Sequence, residues 1–354
     1  MRVLFFWEPV GGLTFNHPCN PYAPLLADAL AEHRVALELG DYDFGRDWLE
    51  KKRDSFDVLH FHWLHYFYRD AAFEGARAKL DAFKSNIDVA RTMGYRIVWT
   101  LHNLYPHERP FPDLDHEARV LLADRAAEMI THCAFAAGKA CELFGRQRPP
   151  HVIPHGHFID VFPNSVTREE ARETLGLPAD AFVYLFFGNA RSYKGVENLT
   201  AAFRKAGGHN DRLVMMMRRK FDPDYADAVV RGAEGDDRIQ VHTSEWFDNG
   251  DFQTYLNAAD TAVFPFSQVL TSGSVITALS FGVPVVVPRL GCLPELVEAP
   301  AGILYDPTSS AGLSDALVRM RKVGGETARA AARRTARALD WGMIASKTAA
   351  LYSG

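Results

Sequence analysis

Cysteine is scarce in this 354-residue chain, which contains four cysteines and no CxxC pair. This composition argues against a zinc ribbon and a disulfide-stapled fold, and it predicts reduced thiols in a cytoplasmic protein. No apolar run reaches the roughly 18 residues that a membrane-spanning helix requires. The formal net charge is -5, so a general nucleic-acid-binding protein is not expected.

Short apolar runs alternate with helical stretches along the chain, a pattern typical of parallel sheets with crossover helices. Six runs lie between Val3 and Ile153, and a second series of six begins at Val183. The chain is also long for a single core. We therefore predict an α/β fold with two Rossmann-like domains, residues 1–163 and 164–338. Ligands of such folds bind at the carboxyl ends of the strands, and a cleft between the domains is the expected site.

The first strand of the second half runs into a glycine and two cations, Gly188, Arg191 and Lys194. Cations at a strand end that precedes a helix suit a bound diphosphate. The alternative is a solvated basic turn. A second basic position, Arg218, ends the next strand, where it either contacts phosphate or faces water.

A turn of small residues opens an apolar helix further along the second half: Thr271, Ser272, Gly273 and Ser274. Helix N-termini present unpaired N–H groups, and glycine lets a phosphate approach the backbone. A plain N-cap by Ser272 is the alternative, and both roles are compatible.

Three further residues of the second half are candidates for contacts with the rest of a nucleotide. Glu295 follows a later strand and either accepts from a ribose or sugar hydroxyl or is a helix-start acid. Trp246 and Phe247 follow another strand, where they either stack on a nucleobase or pack on the surface.

Histidines cluster at strand ends in the first half. His60 and His62 are two residues apart and share a face of one strand, but the spacing places no third ligand beside them, so a metal site is not predicted. His102 follows the strand Ile97–Leu101, where a neutral imidazole is able to bond a sugar hydroxyl; a histidine satisfied within the core is the alternative.

The order G-x-x-R-x-x-K-G at residues 188–195, followed by S-G-x-x-x-x-A-x-S-x-G-x-P-V from Ser272, resembles GT-B glycosyltransferases related to glycosyltransferase family 4. Segments 57–63 and 100–108 resemble the xanthan-type β-mannosyltransferases of exopolysaccharide assembly. The resemblance implies a hexosyltransferase in which the second domain binds a nucleoside-diphosphate sugar (GDP- or UDP-linked) and a C-terminal helix, 339–354, crosses back to the first domain. It also implies a saccharide or lipid-linked acceptor and a peripheral contact at the inner face of the membrane.

The same resemblance assigns roles in the first domain. His102 matches the family histidine beside the donor sugar, and the loop of Gly11 and Gly12 matches one that faces donor phosphate or acceptor, with Asn20 and Tyr22 at the following helix start. An inverting reaction needs a base that is close to operating pH and reaches the acceptor hydroxyl. We favour Glu8 or Glu108, with His107 and Asp113 remaining open.

One departure from the family concerns two glutamates, eight residues apart, that normally contact the donor sugar and the ribose. Val269 and Thr277 stand at the matching positions, which favours the inverting subgroup. A retaining family 4-like transferase, a non-catalytic nucleotide-sugar-binding protein and an epimerase of the same architecture are the alternatives.

No cofactor or metal is expected. Three DxD-like triplets occur, at residues 41–43, 113–115 and 222–224, but none ends a strand at the predicted donor site. Arg191 and Lys194 are able to neutralise the leaving diphosphate instead, so we predict a metal-independent reaction.

Overall fold

The structure is a computed structural model that describes residues 1–8, 12–14 and 20–354. The chain divides into two compact units. The first unit comprises Met1–Gly156 together with Asp340–Gly354, and the second comprises His157–Leu339. The sequence analysis placed this boundary slightly later, between residues 163 and 164.

The first unit is built on a parallel six-stranded sheet with helices between the strands. Its elements in chain order are β1 (Arg2–Phe6), α1 (Tyr22–Glu32), β2 (Ala36–Leu39), α2 (Arg46–Lys52), β3 (Val58–Phe61), α3 (Phe73–Thr92), β4 (Arg96–Leu101), α4 (Pro112–Arg125), β5 (Glu128–Thr131), α5 (Ala134–Phe144) and β6 (His151–Val152). The strand order is β2-β1-β3-β4-β5-β6. Strands β3 and β5 are buried along their whole length, as expected where helices cover both faces of a parallel sheet.

The second unit repeats this architecture. Its elements are α6 (Arg168–Thr174), β7 (Phe182–Asn189), α7 (Val196–Ala206), β8 (Asp211–Arg218), α8 (Pro223–Ala233), β9 (Ile239–Ser244), α9 (Asp251–Ala258), β10 (Thr261–Val263), α10 (Gly273–Ser280), β11 (Val285–Pro288), α11 (Leu293–Leu296), β12 (Gly302–Tyr305), α12 (Gly312–Val323) and α13 (Glu326–Arg337). The strand order is β12-β11-β10-β7-β8-β9. Helix α7 buries Val196, Leu199 and Phe203, which share one face of a 3.6-residue period.

The last helix, α14 (Trp341–Ser353), belongs to the first unit, where it packs against α1. Asp340 caps it by accepting from the Met343 N–H at 2.8 Å. The Trp341 ring lies so close to Gly156 that a Cβ atom there would collide with it. This confirms the prediction that the C-terminal helix returns to the first domain.

The strand orders fix where each sheet favours ligand binding. In both sheets the order reverses once, between β1 and β3 in the first unit and between β7 and β10 in the second. Ligands of open α/β sheets bind beyond the carboxyl ends of the strands at such a reversal. Ligand-binding residues are therefore expected in the segments that follow β1 and β3 in the first unit and β7 and β10 in the second.

One sequence-based expectation needs correction. The sequence predicts a helix over residues 117–126, but helix α4 begins earlier, at Pro112, because the proline occupies the first helical turn, where its missing N–H is not needed. Cys141 is a free cysteine, in keeping with the expectation of reduced thiols.

Candidate functional site

Three predicted residues of the second unit meet where β7 ends. Gly188 has a φ of +147°, which L side chains rarely adopt, and a Cβ atom there would lie 3.8 Å from Ser274 Oγ and 3.9 Å from Lys194 Nζ. Glycine therefore leaves space between a cation and the first turn of α10. The three residues come from separate segments of the chain that the reversal between β7 and β10 brings together.

The turn after β7 is fastened to the loop after β10. Gly195 has a φ of +64°, and a Cβ atom there would collide with the carbonyl oxygen of Pro265, so only glycine fits. The Ser267 N–H donates to the Tyr193 carbonyl at 2.9 Å. These contacts set the position of Lys194, which ends a 3-10 turn at residues 192–194.

Lys194 is a cation held in an apolar setting. Its Nζ lies 4.7 Å from the centre of the Phe266 ring. Within the described part of the chain, no carboxylate pairs with it. Burial, reinforced by the positive charge of Arg191, lowers the pKa of Lys194 to about 8. An anion placed beside Lys194 would reverse this penalty, because an opposite charge favours the protonated amine.

Arg191 and Arg218 also rest on aromatic rings. The Arg191 guanidinium lies 4.7 Å from the centre of the Phe221 ring. Arg218 lies 4.1 Å from the centre of the Trp246 ring, and burial lowers the pKa of Arg218. Trp246 thus packs against a cation, and stacking of a nucleobase on it stays a prediction. No acidic side chain forms an ion pair with Arg218 among residues 1–8, 12–14 and 20–354.

The N-terminus of α10 is capped by a serine and also carries N–H groups that have no acceptor within the helix. Ser272 is its N-cap and accepts from the Val275 N–H at 3.3 Å, so the capping alternative holds. The N–H groups of Gly273 and Ser274 occupy the first turn, where an α-helix supplies no internal acceptor. Gly273 is exposed, and Thr271 immediately precedes the cap. The first turn therefore presents donors on the side where Lys194 lies.

The remaining candidates of the second unit differ in their surroundings. Glu295 is exposed on α11, and the loop before that helix is tied to the loop before α10 because the Cys292 N–H donates to the Leu270 carbonyl at 2.8 Å. Phe247 packs against the core of the second unit and lies 6.1 Å from the Tyr255 ring. This contact favours the packing interpretation of Phe247.

In the first unit, the segments after β3, β4 and β5 bring three histidine rings into a chain. His62 Nδ1 lies 2.9 Å from His102 Nε2, and His102 Nδ1 lies 3.0 Å from His132 Nε2. His132 Nδ1 lies 3.0 Å from the Ile153 carbonyl oxygen. Burial lowers the pKa of His62 and of His102 well below the ordinary value and that of His132 to about 4. The three imidazoles are therefore neutral at pH 7.

This chain bears on the predicted role of His102. Both of its ring nitrogens already bond to other histidines, and its side chain is almost completely buried. The alternative of a histidine satisfied within the core therefore describes its present contacts. Contact with a donor sugar stays a prediction.

The predicted bases occupy different environments. Glu8 follows β1 and is hydrogen-bonded to the Asn20 side chain, and desolvation raises the pKa of Glu8. Asn20 also accepts from the Tyr22 N–H at 3.2 Å, so these three predicted residues lie together. Glu108 is exposed and lies 3.8 Å from Arg69. Gly12 lies in the described segment 12–14, whereas Gly11 lies outside the described residues.

The DxD triplets have structural partners. Asp115 accepts from the Tyr68 hydroxyl at 2.8 Å, and Asp222 caps α8 by accepting from the Tyr225 N–H at 3.0 Å. Asp41 closes a local turn by accepting from the Asp43 N–H. Across the described residues, no group of three or more His, Cys, Asp or Glu side chains is arranged to hold a metal ion.

Residues 181–322 match the family model of the glycosyl transferases group 1. A curated relative, the GDP-mannose:glycolipid 4-beta-D-mannosyltransferase of Xanthomonas campestris pv. campestris, is 29% identical over 276 residues, which cover 77% of this chain and 71% of the relative. The chain is a glycosyltransferase. The matched segment contains Gly188, Lys194 and Ser274.

Solved structures place the glycosyltransferase in the GT-B fold. Sucrose-phosphate synthase from Thermosynechococcus elongatus aligns with a TM-score of 0.74 at 17% identity, covering 99% of this chain and 98% of that one. HepE from Anabaena, solved in complex with UDP-glucose, aligns with a TM-score of 0.73 at 16% identity, covering 100% and 99%. These identities are low, so the two likenesses establish the fold alone. They confirm the predicted GT-B architecture.

Four residues of the glycosyltransferase's first unit were not predicted as binding-site residues. His62 was weighed only as a metal ligand, and His132, Trp7 and Trp63 were assigned no role. All four directly follow strands, at positions 7, 62–63 and 132. The rule that was applied to the second unit, that residues just after parallel strands form the site, would have found them.

Proposed function

We propose that this glycosyltransferase transfers a hexose from a nucleoside-diphosphate sugar to a saccharide acceptor, with inversion and without a metal ion. A mannosyl group is the favoured cargo and GDP the favoured carrier, because the Xanthomonas relative is named for GDP-mannose and a glycolipid. The observation that carries the proposal is a partly buried lysine, with its pKa lowered by desolvation, beside the first turn of α10 and with no carboxylate partner in the described residues.

The second unit supplies what a leaving diphosphate requires. Lys194, Arg191 and Arg218 provide positive charge, and the α10 N-terminus provides N–H donors. Preorganised charges and dipoles in a partly desolvated site stabilise developing negative charge more strongly than water does. Breaking the bond between the sugar and the diphosphate leaves the extra negative charge on the phosphate oxygen, which these groups stabilise.

The absence of a metal requirement follows from the same residues. One acid of each DxD triplet is engaged: Asp41 in a turn, Asp115 in a buried contact with Tyr68 and Asp222 in a helix cap. We infer that charge neutralisation falls to the cations. Trp246 is the favoured platform for the base of the nucleotide, and Glu295 remains the candidate for a ribose or sugar hydroxyl.

The first unit supplies the base. The acceptor hydroxyl must lose a proton as it bonds to the sugar. Desolvation raises the pKa of Glu8, which brings a carboxylate closer to operating pH. Glu8 is therefore favoured over the exposed Glu108. Inversion is supported by Val269 and Thr277, which replace the two glutamates expected of the retaining relatives.

A lipid-linked acceptor and a peripheral contact with the cytoplasmic face of a membrane belong to the same proposal. The support is the glycolipid in the relative's name. None of the helices in the described ranges combines the length and the apolar character needed to cross a bilayer. Sedimentation with anionic liposomes tests the contact: protein that stays in the supernatant at low salt contradicts it.

The decisive experiment is a screen of sugar nucleotides. We expect thermal stabilisation by GDP or UDP, donor hydrolysis in the absence of acceptor, and transfer to an alkyl glycoside. Proton NMR of the first product formed reports the anomeric configuration, and retention would contradict the inverting assignment. A protein that no nucleoside diphosphate stabilises would sink the proposal.

A further inference from the structure

The histidine chain of the first unit has a direction that its geometry dictates. The Ile153 carbonyl only accepts, so His132 Nδ1, 3.0 Å away, carries a proton. Because a neutral imidazole has one N–H, His132 Nε2 accepts, and the donor facing it at 3.0 Å is His102 Nδ1. His102 Nε2 then accepts from His62 Nδ1 at 2.9 Å. Each tautomer follows from the one before it.

The chain leaves one lone pair at its end. His62 Nε2 is an unprotonated acceptor, and it is buried without a hydrogen-bond partner in the described structure. Buried polar groups in folded proteins are nearly always hydrogen-bonded, so an isolated one calls for an explanation. The Ile153 carbonyl, acting through His132 and His102, fixes the tautomer of His62 and leaves its Nε2 atom unprotonated.

Two unpaired donors lie in the same cluster. The indole Nε1 atoms of Trp7 and Trp63 are buried and have no partner among the residues that the structure describes. The Trp7 ring lies 5.0 Å from the His62 ring and 5.8 Å from the Trp63 ring, and Trp63 stacks on His102 at 4.7 Å. Two donors and one acceptor are thus gathered on aromatic surfaces, after the strands β1 and β3 that flank the reversal of the sheet.

We propose that His62, Trp7 and Trp63 form a subsite for the hydroxyl groups of the acceptor sugar. The two indole N–H groups donate to sugar oxygens, and His62 Nε2 accepts from a sugar hydroxyl. The inference rests on the proposed function, which it deepens by assigning residues to the acceptor. Trp63 is partly buried, whereas Trp7 and His62 are buried.

The chemistry of the cluster selects its ligand. A hydroxyl both donates and accepts, so it suits one lone pair beside two N–H groups. An anion is disfavoured because the imidazole lone pair would repel it and the histidines are neutral. A cation is disfavoured because the two indoles present N–H groups. A neutral polyol is the class that fits all three atoms.

His62 binds the hydroxyl and does not take its proton. Burial and the neighbouring His60, His102 and His132 hold the pKa of His62 well below its ordinary value, so the imidazolium is strongly disfavoured. Glu8 follows Trp7 in the chain and has a raised pKa, which makes it the better proton acceptor. The subsite therefore positions the acceptor sugar next to the segment that carries the base.

The experiment measures glycoside binding to the full chain in the absence of donor. Isothermal titration calorimetry with octyl β-D-glucoside, octyl β-D-mannoside and octyl β-D-glucuronide, below their micelle concentrations, gives the dissociation constants. Trp7→Phe and Trp63→Phe keep an aromatic ring and remove one donor each. We expect each to weaken the best glycoside by about fivefold to tenfold, as the loss of one neutral hydrogen bond does.

Trp99→Phe is the matched control. Trp99 Nε1 is also buried and unpartnered, but this ring packs with Phe144 in the other core of the first unit. We expect it to leave glycoside binding unchanged. Equal effects of Trp99→Phe and Trp7→Phe would mean that the substitutions act through packing and would overturn the inference. Trp63→Phe keeps the test available if Trp7→Phe does not fold.

The same samples separate this inference from the proposed function. GDP and UDP titrations should give the same constants in wild type and in both tryptophan variants, because donor binding belongs to the second unit. Intact nucleotide binding with unaltered glycoside constants in the variants overturns the subsite and leaves the proposed function standing. Wild-type protein that binds no glycoside of the panel overturns it as well, since the unpaired atoms would then hold only buried water.

Discussion

Replacing Lys194 with methionine should stabilise the free protein and weaken nucleotide binding at the same time. Burial lowers the pKa of Lys194 from 10.5 to about 8. Each pKa unit is worth about 1.36 kcal/mol, so the buried charge costs the folded state up to about 3 kcal/mol at pH 7. Methionine has a similar length without the charge. We therefore expect Lys194→Met to raise the free energy of unfolding by up to that amount, as measured by urea denaturation.

The sign of the pH dependence provides a second check. A lysine whose folded pKa is lowered binds fewer protons in the folded state than in the unfolded state between pH 8 and pH 10.5. Stability therefore rises with pH across this window, and the penalty is complete below pH 8. Wild-type protein should gain stability relative to Lys194→Met as pH rises through the window. An equal pH dependence of the two proteins would contradict the burial argument.

The same substitution, Lys194→Met, should weaken nucleotide binding. Loss of a charge-assisted hydrogen bond to phosphate costs about 1.5–3 kcal/mol, so GDP or UDP should bind roughly 10- to 100-fold more weakly to Lys194→Met. Lys205→Met is the control, because Lys205 is exposed on the following helix α7. A Lys194→Met protein that is less stable than wild type and binds nucleotide normally would refute the assignment of this lysine to the diphosphate.

The remaining predictions concern the reaction itself. Arg191→Ala should lower kcat/KM by about 100-fold in an assay of released nucleoside diphosphate, since it removes stabilisation of the leaving group; a near-normal rate would remove Arg191 from the site. Activity should persist in excess EDTA, and a loss that Mg²⁺ or Mn²⁺ restores would refute the metal-independent reaction. Glu8→Gln should abolish most of kcat while Glu108→Gln retains it. Equal losses of kcat in both glutamine variants would contradict the choice of Glu8 over Glu108 as the base. The wild-type rate should also fall as pH drops below the raised pKa of Glu8, because the base must be deprotonated.

The fold could be predicted from the sequence because the sheets are covered on both faces. The sequence predicts a strand over residues 58–61 and helices over residues 134–144, 196–206 and 251–258. Strand β3 and helices α5, α7 and α9 have these bounds, since an apolar run or a 3.6-residue period changes at their ends. Helices α2 and α11 escaped prediction. They have seven and four residues and bury one residue each, so neither offers enough period to be recognised.

The two sites differ in how far local sequence reveals them. Gly188, Lys194 and Ser274 could be predicted because a glycine, a cation and a helix start are informative wherever they follow parallel strands. The cluster of Trp7, His62 and Trp63 depends on strand register. Phe5 pairs with His60 and Phe6 with Phe61, and this alignment brings residue 7 beside residue 62. Spacing along the chain carries no trace of that pairing.

Burial lowers the pKa at both sites, but Lys194 stays charged at pH 7 whereas His62 is neutral, so each site suits a different ligand. At Lys194 it makes an existing charge costly, so the favourable free energy appears when a diphosphate arrives and neutralises that charge. At His62 it removes charge altogether, while the Ile153 carbonyl, acting through His132 and His102, fixes which nitrogen stays bare. A charged ligand is therefore selected by the second unit and a neutral one by the first, as a donor diphosphate and an acceptor sugar require.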